Sequence, residues 1–219
     1  MTVQERLLLL FFQDPPATAQ VRKALSALEG VTAAYLARED EHSQRAAMWT
    51  RDPLGCLPKG RLALDLQAPP SVADSDALAD SLGGTPYYCT GRTPLPLTIE
   101  PGAAFPGTLQ LCCFHRRDGL TDQELERLWF EKHTAVAIET QHTLGYRQNR
   151  VRRGGPPHFD GLVEEYFPPE ASTSLEAFFT DGHDSDRMWQ NIQKLTESSE
   201  GFLNLDRSEV VHLTDTRLL

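Results

Sequence analysis

T-D-Q-E-L-E-R-L-W-F-E-K-H-T-A-V-A-I-E-T-Q-H-T-L-G-Y-R-Q-N, from Thr121 to Asn149, is the stretch whose reading decides the fold. Thr121 and Glu124 have the spacing of a capping box, in which hydroxyl and carboxylate each satisfy a backbone N–H at a helix start. Leu125, Leu128, Trp129 and Val136 then recur at helical intervals and define one apolar face. His133 follows Trp129 by four residues, so its imidazole falls on or beside that face. Gly145 ends the helical pattern and Tyr146 starts an extended segment. A histidine carried inward on a helix, followed by a strand bearing Tyr, Gln and Asn, is the leading functional feature.

The remainder of the chain narrows what this stretch can belong to. With 219 residues, 40% of them hydrophobic, the chain can bury a substantial core. A net charge of −10 argues against a nucleic-acid partner or an anionic membrane surface. Leu7 to Phe12 is strongly apolar but only six residues long, against the roughly 20 that span a bilayer. It is flanked by Glu5 and Asp14 and lacks a cleavage pattern, so it is expected to be a buried strand rather than a signal peptide. Cys56, Cys89, Cys112 and Cys113 form neither a CxxC pair nor a Cys/His cluster, which suits a reduced, cytoplasmic setting.

Taken in order, residues 4–12 read as a strand stopped by Pro15-Pro16, and a helix follows from Thr18 to its stop at Gly30. Strands are predicted over 31–38, 61–67 and 86–92, with a helix over 72–82 and a short one around 44–49. The second half repeats this order. Strands are predicted over 108–115, 146–152, 161–167 and 209–214, a helix over 121–141, and helical segments over 174–180 and 186–198. Both halves carry Gly at the first helix stop (Gly30, Gly145) and end the third strand at Pro-Pro (Pro69-Pro70, Pro168-Pro169). An internal duplication explains this more economically than two unrelated α+β domains. The expected division is a unit over 1–95, a linker over 96–107 rich in Pro and Gly, and a unit over 108–219. Each βαββαβ unit predicts a four-stranded ferredoxin-like sheet with its helices on one face. Two such sheets packed face to face give an α+β fold, an intrachain pseudo-dimeric α/β barrel enclosing a pocket.

Strand alternation divides the candidate residues between two faces. Aligning the Pro-Pro pairs sets Asp65 opposite Glu164. Asp65, Leu162, Glu164 and Tyr166 then form the expected pocket face, and Leu62, Leu64, Leu66, Gly161 and Val163 the helix-packing face. Glu165 falls on the helix-packing face and breaks the pattern, which implies either a position near the sheet end or a slip in register. Residues 146–152 are polar on both faces, with Tyr146, Gln148 and Arg150 on one and Arg147, Asn149 and Val151 on the other. That pattern fits an edge strand, a strand lining a polar cavity, or both.

The second half resembles the EthD family of dimeric α/β-barrel proteins. The resemblance rests on Arg116-Arg117-Asp118-Gly119-Leu120-Thr121, Trp129-Phe130-Glu131-Lys132-His133, Gly145-Tyr146-Arg147-Gln148-Asn149 and Asp160-Gly161-Leu162-Val163-Glu164. It covers about half the chain, and W-x-x-x-H is its most specific piece. The first half shares only the topology and lacks that motif. The resemblance implies a ferredoxin-like sheet paired with a second sheet, usually from another subunit and here from the first half. The protein is then a monomer containing the whole barrel, or a homodimer of such barrels. Members are linked to breakdown of small organic compounds, and related barrels include cofactor-free cyclases, decarboxylases, isomerases and monooxygenases. Fold is better determined by such a resemblance than chemistry.

The expected catalytic residues are His133 as general acid or base, Tyr146 as donor to a developing enolate oxygen, and Glu164 as orienter of His133 or proton acceptor. Trp129, Gln148, Asn149, Asp160 and Tyr166 are the expected substrate-binding residues. Each also has a structural reading: a core histidine tied to a neighbouring group, a half-buried strand tyrosine, or a carboxylate partnering Arg147 or Arg150. His115, His142, His158 and His183 are scattered over loops and element ends with no metal-binding spacing, so no metal is expected. No phosphate loop, dinucleotide fingerprint or nucleophile elbow is present. The leading expectation is a cofactor-independent enzyme acting on a small apolar carbonyl or aromatic compound. The alternatives are a non-catalytic small-molecule binder and, third, a haem-binding barrel ligated by His133.

Overall fold

The structure, a computed structural model, describes residues 3–181 and 184–219; His183 lies outside them. In the first half, β1 (Gln4–Phe11), α1 (Thr18–Leu25), β2 (Val31–Arg38), β3 (Gly60–Leu66), α2 (Val72–Leu82) and β4 (Thr85–Leu95) follow one another. A 3-10 turn, Ser43–Trp49, interrupts the long connection between β2 and β3. In the second half come β5 (Thr108–Phe114), α3 (Asp122–Glu126), a π-helical segment (Arg127–His133), α4 (Thr134–Thr140), β6 (Gly145–Gly154) and β7 (Gly161–Phe167). Then α5 (Leu175–Phe179), α6 (Ser185–Glu200) and β8 (Glu209–Arg217) complete the chain. No described helix is long and apolar enough to cross a membrane.

The strands close into one antiparallel barrel in the order β1-β3-β2-β8-β5-β7-β6-β4. Within it each half keeps the ferredoxin-like order, β4-β1-β3-β2 and β8-β5-β7-β6. Two antiparallel seams, β2 with β8 and β4 with β6, join the halves. Hence β6 is not an edge strand: it pairs with β7 on one side and β4 on the other. Closure removes the open edges that an isolated four-stranded sheet would leave. Beyond β4, Ile99 and Phe105 pack into the barrel-interior cluster, and Phe105 meets Tyr166 edge-on at 5.2 Å.

Two-residue alternation sorts the side chains of every strand. From β1, Leu8 and Leu10 enter the barrel, whereas Leu7, Leu9 and Phe11 meet α1 and α2 through Val21, Leu25, Leu78 and Leu82. The run from Leu7 to Phe11 is continuously apolar because both of its faces are buried. Leu62, Leu64 and Leu66 take the helix side of β3 as expected.

The interior of the barrel is not the open pocket expected from the pattern of β3 and β7. Asp65, Glu164 and Asp215 meet three arginines there, Arg6, Arg61 and Arg147, and the charges balance. Arg61 Nη2 lies 2.6 Å from Glu164 Oε1 and 3.3 Å from Asp215 Oδ2. Arg147 Nη2 and Arg6 Nε both donate to Asp65 Oδ1, at 2.5 and 2.9 Å. Asn149 Nδ2 donates to Glu164 Oε2 at 2.9 Å, its Oδ1 accepts from Arg6 Nη1 at 2.9 Å, and Tyr166 donates to Asp215 at 2.7 Å. Only a cavity of about 90 Å³ remains at this end, beside Arg6, Tyr35, Asp65 and Arg147.

Removing one member of a buried pair leaves its partner's charge uncompensated, at a cost of roughly 3–5 kcal/mol. Glu164→Ala should therefore lower unfolding stability by that order, read from urea midpoints. Glu126→Ala, which breaks the more exposed contact to Arg152, should cost less than about 1 kcal/mol. Equal losses would mean that the interior network holds nothing.

Candidate functional site

The helix from the opening stretch begins as its sequence requires. Thr121 Oγ1 accepts from the Glu124 N–H at 3.2 Å and Glu124 Oε2 accepts from the Thr121 N–H at 2.9 Å, completing the capping box. It ends at Thr140, with Gln141 extended, four residues before Gly145. Gly145 opens β6 instead, where a Cβ would come within 2.6 Å of Leu97. Leu125, Trp129, His133 and Ala137 are buried at four-residue intervals. A four-residue step overshoots an α-helical turn of 3.6 residues, so this line would drift around a regular helix. The π-helical segment, where the Thr134 N–H reaches back to the Trp129 carbonyl, uses more residues per turn and counters the drift. Trp129 and His133 thereby stay over the sheet. Gly161 gives Trp129 room: a Cβ there would lie 2.8 Å from its ring and 2.4 Å from Phe114.

The sheet beneath them is unusual on its helix side. Cross-strand register sets His212, Gln110, Glu165 and Tyr146 in one row across β8, β5, β7 and β6. The corresponding face of the first half carries leucines and packs solidly against α1 and α2. In the second half a cavity of about 140 Å³ remains between helices and sheet. Trp129, His133, Leu195 and Phe202 enclose it from the helical side and Gln110, Cys112, Tyr146, Val163 and Glu165 from the sheet, with Arg51 also contributing.

Its polar atoms are only partly satisfied. His133 Nδ1 lies 3.0 Å from Ser198 Oγ, and its ring centroid is 4.8 Å from that of Phe202. The Tyr146 hydroxyl accepts from Gln148 Nε2 at 3.1 Å, and the same amide donates to Thr134 Oγ1 at 2.9 Å. Glu165 Oε2 accepts from Gln110 Nε2 at 3.2 Å. Glu165 Oε1 and Trp129 Nε1 are buried without a partner of ordinary hydrogen-bond geometry.

Burial controls the protonation states. Desolvation lowers the His133 imidazole to about 4, so it is neutral at physiological pH. Desolvation raises the Glu165 carboxyl to about 8, only partly countered by the Gln110 amide, so at pH 7 it is mostly a neutral acid. The Tyr146 phenol is also raised, by burial first and by Glu165 second. Glu164, one residue from Glu165 and on the opposite face, behaves oppositely. Burial alone would raise it, but Arg61, Arg147 and Arg6 outweigh that and hold it near 2.

The sheet therefore splits the expected site. Trp129, His133 and Tyr146 share the helix-side cavity, and Gln148 braces Tyr146 from beside it. Glu164, Asn149 and Tyr166 lie inside the barrel, so Glu164 neither orients His133 nor has the raised pKa of a proton acceptor. Asp160 is at the barrel end, where it accepts from the Arg116 N–H at 3.0 Å and pairs with that residue's guanidinium. His115 and His142 are half-buried and His158 exposed. Sequence reasoning passed over Glu165, Gln110 and Cys112. Glu165 is neither at a solvent-exposed sheet end nor in a slipped register: its mismatch marked a polar cavity.

A haem ligated by His133 does not fit this cavity. Pockets for drug-sized ligands run about 300–1,000 Å³, a porphyrin is at least that large, and the Phe202 ring already lies tilted against the imidazole, 4.8 Å away.

No family model and no curated protein matches the sequence. Solved structures do match the fold. An anthrone oxidase-like protein superposes over 98% of this chain and 93% of its own, with a TM-score of 0.52 at 10% identity. A mutant chlorite dismutase from Candidatus Nitrospira defluvii covers 98% and 92%, with a TM-score of 0.51 at 10% identity. This is a dimeric α/β-barrel fold. Both matches run through the two halves, so the pair of ferredoxin-like units lies within one chain. At such identity the likeness reaches the fold and no further.

The raised Glu165 carboxyl links stability to pH. Its folded value lies above the ordinary 4.5, so its contribution is intact below about 4.5 and is lost as pH rises toward about 8. Glu165→Gln carries no such loss. The melting-temperature difference, variant minus wild type, should grow more positive between about pH 5 and about pH 8. A difference that stays flat would mean that Glu165 is ionised in the folded chain.

Proposed function

We propose that the protein is a small-molecule enzyme of the EthD-like type, working without a resident cofactor in the helix-side cavity of its second half. The observation that carries this reading is the contrast between the halves. One sheet meets its helices through leucines, and the other keeps a cavity whose buried Glu165 Oε1 has no hydrogen-bond partner. Buried polar atoms are normally paired, and unpaired ones need an explanation. A ligand oxygen would supply the missing partner.

Size and lining indicate the ligand class. An apolar cavity of about 150 Å³ takes up benzene, so the cavity here suits one ring carrying a carbonyl or hydroxyl group. Neutral His133 can accept a proton from the carbon beside a ligand carbonyl. The C–H electron pair then moves onto the carbonyl oxygen as an enolate. Tyr146 keeps its O–H free to donate to that oxygen, because its own oxygen is braced by Gln148. Isomerisation, decarboxylation, cyclisation and cofactor-free oxygenation all can proceed through such a stabilised carbanion. In this reading Trp129 forms a wall of the site, and Gln148 positions Tyr146.

Proton abstraction can be measured without knowing the final product. The protein should accelerate exchange of the methyl hydrogens of acetophenone in D2O, followed by NMR. His133→Ala should lower that rate by roughly 10²–10⁴-fold, the usual contribution of a general base. In the wild type the rate should fall as pH drops through about 4, where His133 takes up its proton. Binding without exchange would make the protein a non-catalytic carrier.

A further inference from the structure

We infer that Glu165 is the ligand-recognising hydrogen-bond donor of this cavity, a neutral carboxylic acid that selects one-ring compounds bearing a carbonyl oxygen. The inference deepens the reading of the same site and rests on it. Four structural facts carry it. The Glu165 side chain is buried, about 6% exposed, on the helix-facing side of β7. No ion pair reaches it among the described residues, in contrast to Glu164, whose carboxylate meets Arg61 and Arg147. One carboxyl oxygen accepts from Gln110 at 3.2 Å, which leaves the other, Oε1, as the unpaired atom. Glu165 is itself part of the cavity wall, between Tyr146 on β6 and Gln110 on β5.

A buried carboxylate without a cation is costly, and the usual resolution is to retain its proton. The proton then belongs on Oε1, because Oε2 is occupied as an acceptor. A neutral acid beside a tyrosine hydroxyl in an apolar site is a known device for binding a carbonyl or enolate oxygen. Here it would accept ketones and reject hydrocarbons of the same shape. The row of side chains supports this polarity: one N–H of the Gln110 amide is spent on Glu165 Oε2, which leaves Oε1 as the carboxyl oxygen that can carry the proton toward a ligand.

The inference is tested by comparing two probes of similar shape, acetophenone and ethylbenzene, by calorimetric titration of the full chain. The titratable and charged groups lining the cavity beside Glu165 are His133 on the helix, Tyr146 on β6, Cys112 on β5 and Arg51 before β3; His212 of β8 lies in the same cross-strand row, and Glu209 of β8 faces the other side of the sheet. His133 and His212 are lowered to about 4, Cys112 is pushed up to about 12 and Tyr146 is raised further. Glu209 is raised as well, on the barrel side of β8. Glu165, at about 8, is therefore the cavity group expected to titrate between about pH 6 and about pH 9.

Acetophenone affinity should fall about ten-fold over that interval in the wild type, following the protonated fraction of Glu165. It should stay flat with pH in Glu165→Gln, which retains a neutral N–H donor, and ethylbenzene should bind alike at both pH values. The wild type should also show the infrared carbonyl band of a protonated carboxylic acid, absent from Glu165→Gln. If both probes bind with no pH dependence in the wild type, Glu165 is not the donor, although the cavity reading stands. If the same pH dependence persists in Glu165→Gln, another group such as Glu209 is responsible and the inference falls. If neither probe binds, the cavity reading fails and this inference with it.

Discussion

Arg61 holds the two halves of this molecule together. It projects from β3 into the barrel and meets Glu164 of β7 and Asp215 of β8, both from the other half. Arg147 makes the reciprocal contact, from β6 to Asp65 of β3, and Arg6 reaches Asn149 of β6. Hydrophobic burial drives strand closure, but apolar contacts are non-directional. The arginine–carboxylate contacts need defined geometry, because each buried charge must find its partner. They therefore tie the relative placement of the two sheets to one arrangement. They also fill the barrel, leaving a cavity of only about 90 Å³ beside Arg6 and Asp65.

On the helix side of the sheets the two halves diverge. In the first, leucines and alanines from sheet and helices make an ordinary dry core. In the second, the π-helical segment keeps Trp129 and His133 over the sheet while the four residues of the polar row lie below. Adjacent carboxylates on β7 show how strongly the environment decides. Glu164 is surrounded by guanidinium groups and stays ionised; Glu165, one residue on, is buried at the helix-side cavity without a cation, which favours its protonated form. The pleat alone turns two identical side chains into different chemical species.

Much of this was legible in the chain. The helix start at Thr121, the strands ending at the two Pro-Pro pairs, and the ferredoxin-like order all follow from local spacing and turn chemistry. Trp129 and His133 were recognisable because four-residue spacing puts them on one helical face. Glu164 and Tyr166 fall on the inward face that strand alternation gives them, and Asn149, whose face the pattern of 146–152 left open, joins them there. Grouping them with His133 was the error, because the interior of the barrel and the helix-side cavity are different spaces. Gln110 carried no signal: a lone glutamine between two leucines on a strand has no periodic meaning until its cross-strand neighbour is known. Glu165 carried one, as a charge in an apolar pattern. The polarity of residues 146–152 on both faces fits an edge strand or a strand lining a polar cavity; the pairing of β6 on both sides removes the first, and the polarity serves ion pairs on one side and the helix-side cavity on the other.

The sequence by itself determined the elements, their order and which side chains share a face of each strand. These depend on interactions between residues close in the chain, and on a pleat whose period is two. Tertiary structure decided which face is filled and which is hollow. It also decided that β6 closes a barrel, and that the second of two neighbouring glutamates is the protonated one. Those outcomes depend on partners such as Arg61 and Gln110, which lie about 100 and about 55 residues away from the glutamates they meet. A carboxylate's charge follows from what surrounds it in space, and no local pattern records that.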